Sequence, residues 1–268
     1  MYKNLTFIAF FLFSCKGEVK KTENNPMNHR PFMEGCWIIQ KYANAIKATK
    51  SPFEAMEYAD AETGFNINFD EIEGDSLMIG FNLGNHEGNT LVLNFKNNQL
   101  PNCFELKMND YENKGYHFSL GYEYTQKDTT MSLITLAKSN KIIKKEKYIR
   151  ILKDKTDDLS AAINYLINKN IFEGKYTNAV TQEKVFFQSN GKTDFKGFST
   201  YEVAADFVGP DQFDAIWFTN TSKERLDLGF KINKDTLLLY DFKMEWDSLN
   251  NENRALEYGN IKYKLIKK

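Results

Sequence analysis

Over much of the chain apolar and polar residues alternate with a period of two, the pattern of strands that bury one face. Phe65, Ile67 and Phe69 fall on one side, and Asn66, Asn68 and Asp70 on the other. The alternation recurs in Leu77, Ile79, Phe81 and Leu83; in Leu91, Leu93 and Phe95; and in Phe104, Leu106 and Met108. It continues in the long apolar row of Tyr116, Phe118, Leu120, Tyr122 and Tyr124. Turn formers separate these runs, in EGD, GNHEGN, NNQLPN and NDYENKG. Such spacing predicts an antiparallel meander in which each strand pairs with its sequence neighbour.

Two helices interrupt the strands. Ser51 as N-cap, Pro52 at the first helical position and Glu54 at the third form a start signal for a short helix through FEAMEYAD. A second helix begins near Thr156, with Asp157 and Asp158 favourably placed at its positive end. Leu159, Ala162, Ile163, Leu166 and Ile167 give it an apolar stripe. A new strand series follows: EKVFFQSNGKTDF, a hairpin candidate around Asn190 and Gly191, then FSTYEVAAD, DAIWFT, RLDLGFKI, TLLLYDF and IKYKLI. The halves share landmarks, which suggests an internal repeat. EGCWII at Glu34 answers EGKYTN at Glu173, KDT occurs at Lys127 and Lys234, and KYIRIL answers KYKLIK. The expected fold is mainly β, with two tandem antiparallel meander barrels joined by a short α-helix. The first barrel takes residues 33–153, the linker helix 154–171 and the second barrel 172–268.

Residues 5–13, LTFIAFFLF, follow a single cation, Lys3, and are too few to span a bilayer, which takes roughly 20 apolar residues. A charged start, a short apolar centre and a small residue before a cut site describe a secretory signal, here residues 1–14. Leu12, Phe13, Ser14 and Cys15 resemble the bacterial lipoprotein signal, in which the cysteine is lipidated and becomes the mature N-terminus. The bland alternative is an ordinary buried helix. Residues 15–32 have little to bury and read as a flexible tether. The expected location is the bacterial cell envelope, extracytoplasmic, with Cys15 carrying the lipid anchor that reaches the membrane.

Composition places the folded part among globular proteins: 42% hydrophobic, 26% charged, with 15 Gly and 5 Pro. Net charge is −1 and Arg occurs only at positions 30, 150, 225 and 254, which argues against a nucleic-acid partner. Beyond Cys15, Cys36 and Cys103 form an even pair in an oxidising compartment. A disulfide between them would stabilise the fold by about 4 kcal/mol in the chain-entropy model; the other reading is two separate buried thiols.

Gly35, Cys36 and Trp37, opening an antiparallel meander, resemble the Gly-x-Trp start of the lipocalin and calycin group. The resemblance implies an up-and-down barrel with Trp37 plugging one end, and Arg150 in KYIRIL packing over it. The second half has Tyr176 in place of the Trp and no Arg in KYKLIK.

Aromatic residues, 22 Phe and 14 Tyr among them, either fill a small barrel or line a cavity within it. Candidates for a ligand-lining wall are Tyr116, Phe118, Tyr122 and Tyr124, then Phe198, Tyr201, Trp217 and Tyr240. Support for a metal is thin: His86 beside Glu87, and His117 near Ser119 and Glu123, lack a second close-spaced ligand group. DEIEGD lacks the spacing of a calcium loop and reads as a solvated turn. Recognisable nucleophile, zinc-protease and phosphate-loop motifs are missing, and Asp206, Asp211, Asp214 and Glu224 offer only a chance carboxylate pair. The expected function, with no cofactor, is an envelope lipoprotein binding an apolar or amphipathic small molecule in a lipocalin-like barrel. The alternative is a protein- or glycan-interaction module with filled cores.

Overall fold

The first strand series forms β1 (Gly35–Ile39), β2 (Glu62–Ile67), β3 (Ile72–Glu73), β4 (Ser76–Leu83), β5 (Glu87–Asn94), β6 (Cys103–Lys107), β7 (Tyr116–Tyr124), β8 (Thr129–Ala137) and β9 (Ile142–Leu152). These come from a computed structural model that describes residues 25–59, 62–83, 87–96, 100–108, 115–126, 128–153, 159–207, 213–247 and 252–268. The expected signal segment, Cys15, His86, Asp157, Asp158 and Asp211 lie outside the described residues. Hydrogen-bonded order is β2-β1-β9-β8-β7-β6-β5-β4-β3, and β2 also pairs with β4, which closes eight strands into a barrel with β3 as an appendage. The closing ladder sets Phe65 opposite Phe81 and Asn66 opposite Gly80. Opposed residues share a face, so Trp37, Phe65 and Phe81 make one inward row. Leu77 with Leu93, Leu106 and Phe118 make another, and all are buried.

The second series forms β10 (Gly174–Asn178), β11 (Lys184–Phe187), β12 (Thr200–Val203), β13 (Ala215–Thr219), β14 (Arg225–Asn233), β15 (Thr236–Asp247) and β16 (Glu252–Lys267). Its order, β11-β10-β16-β15-β14-β13-β12, is that of an open sheet. This corrects the expectation of two tandem lipocalin-like barrels: a single closed barrel is joined by helices to an open sheet. The reason lies at the edges. β11 and β12 have only four residues each. Among the described residues no ladder joins them; the segment between them makes one single bridge to each, Phe187↔Thr193 and Lys192↔Thr200.

Four helices complete the described chain: α1 (Arg30–Met33), α2 (Gln40–Thr49), α3 (Pro52–Ala55) and α4 (Leu159–Ile167). Ser51 caps α3 as its sequence implies, its Oγ accepting from Glu54 N at 3.0 Å, but α3 is one turn long and tightens into a 3-10 turn, Met56–Tyr58. α2 was not anticipated; Tyr42, Ala43, Ala45 and Ile46 are its buried side, and it ends at Lys50 with φ 59°. α4 carries the expected apolar stripe, continues as a π-turn, Asn168–Phe172, and packs against β1, β2, β4 and β9 on one side and β12 on the other. One cluster of buried apolar side chains runs through barrel, helices and sheet. Polar contacts tie α2 and α3 to the later chain: Phe53 N donates to Asp214 Oδ1 at 2.9 Å, and Lys50 Nζ to Asn170 O in the π-turn at 2.7 Å.

Candidate functional site

One end of the barrel is sealed from below by residues that the sequence placed in the tether. A 3-10 turn, Pro26–His29, capped by Asn25, runs into α1, and Met33 is fully buried. His29 stacks on Phe95 at 5.8 Å and meets Phe104 at 4.6 Å, with Nδ1 3.0 Å from the Tyr122 hydroxyl. Burial lowers the His29 pKa and raises that of Tyr122, so both favour the neutral form. Phe32 stacks on Tyr122 at 5.1 Å and meets Tyr124 edge-on at 4.9 Å. The segment is therefore a plug, and its apolar content was underestimated because its aromatic and Met residues are separated by Pro, Asn and Arg.

Trp37 and Arg150 hold that plug. Trp37 Nε1 donates to Met33 O at 2.7 Å. Arg150 stands opposite Trp37 in the β1–β9 ladder, with its guanidinium carbon 4.6 Å from the ring centroid. Its NH2 group donates to Phe32 O, and the guanidinium also approaches Pro31 O at 3.4 Å. Burial lowers the Arg150 pKa, yet guanidinium stays charged in proteins. Gly35 has φ 119°, and a Cβ there would lie 2.4 Å from Leu152 O, so glycine lets β1 enter the barrel directly against the end of β9.

Inside, enclosure is uneven. Leu77, Ile79, Leu93 and Leu120 are fully enclosed, whereas Phe81 (5%), Leu91 (9%) and Phe118 (7%) are not. Tyr116, at the far end of β7 from the plug, is exposed. The ladders put Glu146 opposite Leu133 and Lys144 opposite Thr135 at the same end. Lys144 Nζ and Lys41 Nζ reach Glu146 Oε1 at 3.1 and 3.6 Å, giving the unplugged rim a charged cluster.

The eight proposed lining residues thus separate. Phe118 and Tyr122 face the barrel interior, Tyr116 marks its rim, and Tyr124 is exposed beside Phe32. In the second unit Phe198 packs on Phe218 at 6.0 Å and Tyr240 on Tyr258 at 5.1 Å. Trp217 lines a cleft of about 420 Å³ bordered by α4, while Tyr201, at the base of that cleft, turns its ring to the other face of the sheet against Phe218. Cys36 and Cys103 do not meet: both are buried thiols outside any disulfide. Cys36 on β1 lies 3.6 Å from Asn66 Oδ1. Cys103 on β6, separated from β1 by β9, β8 and β7, packs with Ile134 and Leu136, so the two-thiol reading replaces the disulfide.

Among the described residues no group of three or more His, Cys, Asp or Glu could hold a metal ion. Asp70 pairs with Arg30 at 2.9 Å, and Gly74 with φ 58° turns the DEIEGD segment. Asp214 is spent on Phe53 N, while Asp206 and Glu224 are exposed. Sequence reasoning missed His29 and Phe32 in the plug, and Asn164 on α4 with Asn168 at the start of the π-turn that continues it. The last two carried a signal: asparagine is a poor helix former, and two of them four residues apart share one helical face. Comparison with protein-family models, curated proteins and solved structures finds no match to this chain.

Proposed function

We propose that the protein is a cell-envelope lipoprotein, anchored through Cys15, whose barrel takes an apolar or amphipathic small molecule at the unplugged end. The observation that carries this reading is the closed, aromatic-rich barrel with Trp37 and Arg150 holding a plug at one end and Lys41, Lys144 and Glu146 forming a charged rim at the other. Ligand sites are mostly apolar with a few polar anchors. Phe81, Leu91 and Phe118 supply the apolar wall, and Lys41, Lys144 and Glu146 the polar rim for a head group. Full enclosure of Leu77, Ile79, Leu93 and Leu120 limits the ligand to the less enclosed part of the barrel. The same enclosure favours the second reading, a surface-interaction module with a filled core.

The experiment uses the Cys15→Ser chain without its signal, secreted and purified under native conditions. Solvent extracts are read by mass spectrometry, and binding of 1-anilinonaphthalene-8-sulfonate by fluorescence. A stoichiometric apolar molecule released on unfolding, and lost in Leu91→Trp, supports the barrel site. An empty extract with no probe binding sinks it and leaves the surface-interaction reading.

A further inference from the structure

We propose that the cleft between α4 and the β12–β13 edge of the open sheet is a carbohydrate site that takes a neutral pyranoside. Thr200 stands opposite Thr219 and Glu202 opposite Trp217, so these four share one face of the sheet. Tyr201 and Phe218, on the other face, are buried in the core. The first face borders the cleft, and Asn164, Tyr165 and Asn168 of the α4 segment form the opposite wall. Its volume of about 420 Å³ falls within the range of small-ligand sites, roughly 300–1,000 Å³.

The chemistry of the walls selects the ligand class. Asn164 Oδ1 and Asn168 Oδ1 are buried with no hydrogen-bond partner, and Asn168 is only 3% exposed. Buried acceptors are almost always bonded, so two orphans on one helical face call for a donor-bearing ligand. An amide places acceptor and donor side by side, which matches vicinal hydroxyls. Trp217 Nε1 donates to Glu202 Oε2 at 3.0 Å, which steadies the indole and leaves a second carboxylate oxygen as acceptor. Trp217 and Tyr165 line the cleft, and the ring surface that Arg225 and Lys169 leave uncovered can meet the apolar C–H face of a sugar ring. An anion is disfavoured by Glu202 and the two amide oxygens. A cation is disfavoured by Arg225, 4.9 Å over the Trp217 ring, and Lys169, 5.4 Å over Tyr165. A neutral polyol satisfies both conditions.

Saturation-transfer NMR and titration calorimetry on the Cys15→Ser chain lacking its signal, with the methyl glycosides of glucose, galactose and mannose and with N-acetylglucosamine, test the site. At least one sugar should bind at millimolar concentration, and Trp217→Ala and Asn164→Ala should each weaken it about tenfold. Both positions are partly exposed, so circular dichroism and thermal midpoint should be unchanged, and Leu91→Trp in the barrel should leave sugar binding intact. No transfer to any of the four sugars, or binding undiminished in Trp217→Ala, overturns the assignment.

Discussion

Arg150 lies with its guanidinium 4.6 Å over the Trp37 ring and directly opposite it in the ladder that joins the first and last strands of the barrel. Lys267 stands in the same relation to Tyr176 in the open sheet: opposite it in the β10–β16 ladder, with Nζ 5.6 Å over the ring. In each unit a glycine with positive φ comes two residues before the aromatic, Gly35 at 119° and Gly174 at 144°. The repeated landmarks in the sequence thus correspond to repeated geometry, although one unit closes and the other does not. The two differ in grip, because guanidinium is a planar fork that reaches two carbonyls and an ammonium is a point charge.

That difference makes Arg150→Lys informative. Lysine keeps the charge over Trp37 but cannot bond Phe32 O and Pro31 O together, so the plug should loosen. The expected loss is about 1–3 kcal/mol, in the range for a hydrogen bond to a charged group, read as a lower urea midpoint at constant slope. An unchanged midpoint would mean that α1 is held without the fork.

The two thiols lead to a redox prediction. With Cys36 and Cys103 on well-separated strands, a reducing agent should leave the thermal midpoint of the Cys15→Ser protein where it was. Ellman's reagent should detect two thiols only after denaturation. A midpoint that falls on reduction would show a disulfide after all.

Close approach makes a second pair testable. A Cβ at Gly121 would lie 2.3 Å from Cys103 Sγ and 3.3 Å from Asn102 O, so Gly121→Ala should cost about 1–3 kcal/mol as an overpacking change. Cys103→Ala removes the sulfur and should recover most of that loss in the double variant. Additive single effects would place the strain in the backbone around Asn102 instead.

The strands were legible because each buries one face, and Leu77, Ile79, Leu93 and Leu106 fall inward as their alternation implies. Closure was not legible. The barrel is sealed by β2 pairing with β4, a partner beyond β3 rather than the next strand, and alternation carries no information about which edges meet. The cleft was visible only in part, Trp217 by its aromaticity. Asn164 and Asn168 were read past because α4 was judged by its apolar stripe alone.

The strongest pH effect should come from Asp214, which joins the two units. Burial pushes its carboxyl up to about 6, against the lowering hydrogen bonds from Phe53 N and Ser51, with Glu54 raising it and Lys231 lowering it. Since the folded value lies above the usual aspartate value of roughly 3.9, the folded state holds this proton more tightly than the unfolded chain. Its contribution to stability is complete below about pH 4 and is lost as pH rises through about 6. A shift of about two units corresponds to about 3 kcal/mol. Asp214→Asn keeps an oxygen to accept from Phe53 N and carries no charge, so it should match the parent near pH 4 and exceed it near pH 7. Urea midpoints of the two proteins across that interval isolate Asp214, because every other carboxylate is common to both. A difference that stays constant with pH would show that the carboxylate is charged throughout in the folded protein, and that its bond to Phe53 N outweighs its burial.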